Sequence, residues 1–132
     1  MSHYLDLETQ MIDEKALVKA LGRMGYNNVE THANATNLYG YQGDMRPQKA
    51  NVIVRRKYIS SSANDIGWQK TEEGTFKAHI SEFDSHRHNE DWQKKLATYY
   101  NVEKAKMAYD KRKIKCVEST DAQNRPTVKA YL

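Results

Sequence analysis

Long apolar runs are missing from this 132-residue sequence. None approaches the roughly 18 consecutive apolar residues of a membrane-crossing helix, so no membrane attachment is expected. Cys116 is the sole cysteine, which excludes an internal disulfide. Two prolines and six glycines are spread thinly, with no low-complexity tract, internal repeat or linker. The opening Met1-Ser2-His3-Tyr4-Leu5-Asp6 lacks the basic and apolar regions of a signal peptide, and a cytoplasmic or stromal setting is expected. Without such a signal, the Asn34-Ala35-Thr36 glycosylation sequon carries no weight. A phosphate loop, a dinucleotide fingerprint and a His-Glu-x-x-His zinc motif are all absent. No cofactor is expected, and a non-enzymatic role is favoured over catalysis.

What is present suits one domain, residues 1–132, with a single hydrophobic core: 39% of residues are hydrophobic and 29% charged. The stretch Ala50 to Ile80 organises the chain. Ala50–Tyr58 reads as a strand with a β-branched apolar centre, Asp65–Gln69 as a second and Thr75–Ile80 as a third. Two polar turns separate them, which predicts an antiparallel meander. Before it, His3, Leu5, Leu7, Thr9 and Met11 alternate with Tyr4, Asp6, Glu8 and Gln10, the pattern of a half-buried strand with the first set facing the core. Asp13 stands where an N-cap belongs, and Leu17, Ala20, Leu21 and Met24 follow at helical spacing. Gly25 is placed to end that helix with positive φ.

Further on, Val29–His32 reads as a short strand, Asn34–Asn37 as loop, and Leu38–Asp44 as another strand ending in a glycine turn. Pro47, which has no amide to give a ladder, is expected to precede the main strand. Glu82–His88 reads as irregular and polar. Asn89 or Ser85 caps a second helix that presents Trp92, Leu96 and Tyr100 on one face, continues that contact through Ala105, Ala108 and Tyr109, and fades near Lys111. Lys113–Glu118 and Thr127–Tyr131 form a closing hairpin across an Asp121–Pro126 turn. The expected fold is α+β: a single antiparallel sheet of about five to seven strands, with two helices packed on one face.

The formal net charge of +4 is uneven. Lys49, Arg55, Arg56 and Lys57 form a basic stretch, the region from Ile59 to Gln93 is acidic, and the C-terminal third is basic again. Tyr39 and Tyr41, with Arg46, Arg55, Arg56 and Lys57, make the best candidate surface. Its cations suit phosphates, and its rings suit unpaired bases or a protein partner. In an extended strand Arg55 and Lys57 would share a face and Arg56 would point away. Tyr39-Gly40-Tyr41 partly resembles an RNA-recognition motif but lacks its basic start and following pattern. The weaker alternative is metal-assisted chemistry through His86 and His88, beside Asp84 and Asp91; imidazole and carboxylate suit zinc or iron, but the spacing matches no familiar site. An unknown protein partner, nucleic acid through the basic strand, and a homodimer through an exposed edge strand are the three associations expected.

Several short motifs recur together in one family: Met1-Ser2-His3-Tyr4, Met24-Gly25-Tyr26, Gly40-Tyr41-Gln42-Gly43, Ala50-Asn51-Val52-Ile53-Val54-Arg55, Asp65-Ile66-Gly67-Trp68, Gly74-Thr75-Phe76, and Leu96 with Tyr100. By their order the chain resembles the hypothetical chloroplast reading frame thirty-five family, a domain of unknown function of cyanobacteria, plastids and some cyanophages. The likeness spans nearly the whole chain. It departs in the Asn34–Asn37 and Arg46–Lys49 regions, and Lys113 stands where the family has a glycine after the second helix. The resemblance implies a photosynthetic organism or a virus of one, hence the host cytoplasm if phage-encoded. It implies no reaction and carries over no catalytic residue.

Overall fold

The structure, a computed structural model, describes residues 3–132, so Met1 and Ser2 of the opening motif lie outside the described residues. Within it the order is β1 (Tyr4–Glu8), α1 (Glu14–Arg23), β2 (Val29–Tyr39), β3 (Met45–Val54), β4 (Ile66–Lys70), β5 (Phe76–Ser81), α2 (Glu90–Lys111), β6 (Lys115–Thr120) and β7 (Pro126–Tyr131). Five strands form an antiparallel sheet in the order β1-β5-β4-β3-β2, and β6 and β7 form a separate two-stranded sheet. The α+β class, the β3-β4-β5 meander and the closing hairpin are as expected. The hairpin, however, does not extend the main sheet; it packs beside α2.

Local chemistry explains both helices. Asp13 accepts from the amide of Ala16 at 2.9 Å, a cap worth about 1 kcal/mol. At the other end Tyr26 donates to the Leu21 carbonyl and Gly25 to that of Gly22, and Gly25 takes φ +97°. That pair of bonds closes α1 and requires the left-handed turn. Asn89, not Ser85, caps α2, accepting from Trp92 at 2.9 Å. The C-terminus of α2 repeats the α1 closure, with Lys113 donating to Asp110 and Ile114 to Tyr109. Here Lys113 itself is held at φ 58°, in the conformation a glycine would take freely.

The principal core lies between the sheet and both helices. Val52 and Val54, Ile66 and Trp68, Phe76, Ala78 and Ile80 meet Leu17, Ala20, Leu21, Leu96 and Tyr100. Leu17 and Leu21, like Val52 and Ile66, are wholly withdrawn from water, each contributing roughly 1.5–3 kcal/mol by burial. Past Tyr100 the inward positions of α2 are Val102 and Glu103. Met107 reaches the core, whereas Ala108, expected to continue the contact, is exposed.

The opposite face of the sheet is covered as well, and periodicity did not foretell it. β2 runs unbroken as a strand through Asn34–Asn37, where a loop was expected, by means of register shifts between Thr31 and Thr36 and again between Asn37 and Tyr39. Asn51 bridges the first shift, donating to the carbonyls of His32 and Ala33. Pro47 lies inside β3, not before it, within the second irregularity, where no ladder amide is needed. Ala50, which strict alternation from Val52 would put on the helix side, packs instead with Leu38, Ile53 and Tyr4. The distal half of the β2–β3 hairpin thereby crosses the sheet to meet β1, with the Arg46 guanidinium 5.6 Å from the Tyr4 ring. Tyr4 is consequently the buried anchor of β1, while Leu5 and Leu7, expected to face the core, are 36% and 37% exposed.

Gly67 permits this second layer. A Cβ there would stand 2.5 Å from Ala50 Cβ and 2.9 Å from Leu38 Cδ2. Gly67→Ala is expected to cost about 1–3 kcal/mol by overpacking. Lys113→Gly is expected to gain about 1 kcal/mol by removing left-handed strain. Urea unfolding of the two variants checks both signs.

Candidate functional site

The segment Ala63-Asn64-Asp65, just before β4, is buried and polar, and it holds the tip of the crossing hairpin in place. The Asp65 carboxylate accepts from the Arg56 amide at 2.7 Å, the Tyr39 amide at 2.8 Å and Arg55 Nη1 at 2.9 Å. Its carbonyl receives the Tyr4 hydroxyl at 2.7 Å. Burial, ahead of the nearby Asp65 charge, pushes that phenol well above its usual range. Asn64 accepts from the Tyr41 amide at 2.9 Å and donates to Ser81 Oγ and Asp84 Oδ2. Asp84 Oδ2 also takes the Asn64 amide, at 2.9 Å. Buried polar groups tied together in this way resist rearrangement, because each lost partner costs about 1–3 kcal/mol.

On this base Tyr41 stacks against Phe83, ring centroids 6.1 Å apart and planes 15° from parallel. Both rings face water, at 43% and 53% exposure. Tyr39 and Met45, cross-strand partners at the foot of the same turn, are exposed too. A pair of aromatic rings is thus displayed on a backbone that its neighbours hold rigid. Phe83 was not singled out from the sequence; an aromatic between Glu82 and Asp84 in a polar connection was the only available signal. Nothing local marks Asn64, Asp65 or Asp84 as inward-facing.

The predicted basic residues behave otherwise than a strand would have placed them. β3 stops at Val54, and Arg56–Tyr58 form a 3-10 turn. The expected sharing of a face by Arg55 and Lys57 is therefore overturned. Arg55 makes a two-pronged ion pair with Glu30, at 2.8 and 2.9 Å, while also reaching Asp65 and the Asn37 carbonyl. That guanidinium, helped by His32, holds the Glu30 carboxyl down to about 2. Arg56 is turned to the carbonyls of Ala63 and Ser61. Arg46 pairs with Asp44 at 3.3 Å. Lys57 is exposed, its Nζ 5.0 Å from the Tyr58 ring. Tyr39 and Arg55 are brought together, 5.7 Å from guanidinium to ring centroid, but Arg46 and Lys57 attend to other rings.

His86 and His88 are not brought together as a ligand pair. His86 is exposed and bonds the Phe83 carbonyl, whereas His88 is 3% exposed and meets the Tyr26 hydroxyl at 2.8 Å. Asp84 serves Asn64 and Arg87. Among the described residues there is no group of three or more metal-ligating side chains. The Glu82–His88 connection is thus partly inward, not simply a polar loop. A second arrangement unforeseen from the sequence lies on the outer face: His79, buried, between Asp6 at 2.6 Å and Gln69 at 2.8 Å. Their strand positions pair directly, Asp6 with His79, so sheet register was the missing information.

Burial lowers the His88 pKa from 6.5 to about 4. The folded chain favours neutral imidazole, so the unfolded chain takes up this proton first as pH falls. The His88 contribution is complete above about pH 6.5 and declines towards pH 4, in total by roughly 3 kcal/mol. The Glu30 pair is lost only at lower pH, between 4.5 and about 2. Denaturant unfolding at a series of pH values should therefore show a loss between neutrality and pH 5 that His88→Asn lacks and Glu30→Gln retains.

Compared with known proteins, the chain matches no family model, no curated protein and no solved structure.

Proposed function

We propose that this chain is a non-enzymatic accessory protein that recognises another protein through the hairpin tip, with Tyr41 and Phe83 at the centre of the contact. The observation that supports this most is the exposed, stacked aromatic pair standing on a buried hydrogen-bonded base. Aromatic side chains are enriched at interface hot spots, and a surface that is already rigid loses little entropy on binding. Tyr39 and Met45 extend the apolar area at the foot of the turn, and Arg46 lies beneath it.

Nucleic acid is the weaker partner. Arg55 and Arg56 are turned inward, so neutralising a phosphate would require breaking the Glu30 and Asp65 bonds. The family resemblance makes a cyanobacterium, or the phage of one, the source to search, with a cytoplasmic setting; among the described residues no helix is long and apolar enough to cross a membrane.

Affinity capture from cyanobacterial lysate, followed by mass spectrometry, tests the reading. The intact chain should retain a defined polypeptide that survives nuclease and high salt. A Tyr41→Ser, Phe83→Ser double variant of unchanged melting temperature should lose it. Equal recovery by both proteins would refute this surface, and release by nuclease or salt would turn the reading to nucleic acid.

A further inference from the structure

The main sheet ends at β1, whose outer edge has no strand beside it among the described residues. On the helix side of that edge runs a groove of about 900 Å³ between β1 and α2, within the size range of binding clefts. Leu5, Leu7 and Met11 form one wall, and Gln93, Ala97 and Tyr100 the other. The Tyr100 hydroxyl receives the amides of Ile12 and Asp13, both at 2.9 Å, which secures the helix to the chain just after β1. His88 also lines the groove. It is 3% exposed, and its Nδ1, like Nε2 of Gln93, is buried without a hydrogen-bond partner. Such atoms are costly to leave unmatched. Both atoms are closed to water, so an occupant bearing amide or carbonyl groups reaches them once the His88 and Gln93 side chains turn towards the groove.

The other face of the same edge carries two carboxylates with inward neighbours, Asp6 on His79 at 2.6 Å and Glu8 on Lys77 at 3.5 Å, each with its outer side open to water. Asp6 and Glu8 point away from the helices, with side chains 52% and 74% exposed. A strand laid beside β1 would set every second side chain in the groove and the intervening ones beside these carboxylates. Pairing β1 with its own copy would bring those acids together, which disfavours a homodimer through this edge.

We propose that β1 and α2 form a docking site for an extended polypeptide segment in which apolar residues alternate with lysine or arginine. The segment adds as a further strand to β1. Its apolar side chains fill the groove over Leu5, Leu7 and Ala97, its basic ones pair with Asp6 and Glu8, and its backbone bonds the free edge. The site is separate from the Tyr41–Phe83 pair and does not depend on it.

The probe is a fluorescent peptide of the length of β1, alternating lysine and valine, titrated with the full chain and read by anisotropy. Binding is expected, and exchanging the lysines for glutamates should weaken it by about tenfold or more. Backbone N-methylation at one set of alternate residues should abolish binding, while methylation of the other set spares it, because only one edge of the peptide meets β1. Glu8→Lys, which gives up only an exposed pair with Lys77 and is checked for an unchanged melting temperature, should weaken binding several-fold, and Leu7→Ser should weaken it further. The proposal is overturned if the glutamate peptide binds equally or if both methylated peptides bind alike. It also fails if Glu8→Lys and Leu7→Ser both leave the affinity unchanged, or if sedimentation shows a dimer that buries β1.

Discussion

The buried Asp65 carboxylate is the constraint on which the outer layer of this protein depends. It stands at the start of the meander's central strand and gathers in the Tyr39 amide, the Arg56 amide and the Arg55 guanidinium. Those three groups come from the hairpin tip and from the turn after β3, segments otherwise free to part. An uncompensated carboxylate in that position would cost several kcal/mol, and removing one partner of such a pair is far more damaging than never having built it. The 3-10 turn at Arg56–Tyr58 follows from this: β3 leaves the sheet so that two successive residues can face one acid.

With that tie in place the sheet is clothed on both sides by different means. Helices cover one face with an apolar seam. A crossing hairpin covers the other with a small cluster of Tyr4, Leu38, Ala50 and Ile53, bordered by polar groups. The hairpin can lie this close only because Gly67 presents no side chain beneath it. The register shifts in β2 and β3 supply the bend, placing the extra residues where an edge strand tolerates them.

The two surfaces that remain open differ in kind. The hairpin tip is aromatic, with Arg46 and Arg55 already paired to Asp44, Glu30 and Asp65. The β1 edge is a trough margined by the exposed Asp6 and Glu8, which pair inward with His79 and Lys77, and among the described residues no strand lies beside it. One suits a surface that is recognised by shape; the other suits a chain that can extend. Both arise from the same economy of covering: the second layer reaches β1 at Tyr4, and the helices stop short of enclosing Leu5 and Leu7.

What the amino-acid order determined without help was local. Asp13 and Gly25 bound α1, Asn89 and Ser85 were the two caps offered to α2, and β-branched centres mark the meander, because caps and periodicities act over a few residues. No local signal marked Lys113, where only the family resemblance implied a glycine, and its φ is 58°. The fate of the polar groups was decided only by tertiary structure. Arg55 looked like a surface cation until Glu30, 25 residues away, and Asp65 enclosed it. Tyr4 looked wet until the Asp65 carbonyl, 61 residues on, took its hydroxyl. His88 looked like half of a ligand pair until burial against Tyr26 separated it from His86. Whether a charge or hydroxyl faces water depends on partners distant in the chain, and hydrophobic period records only the side on which an element is dry.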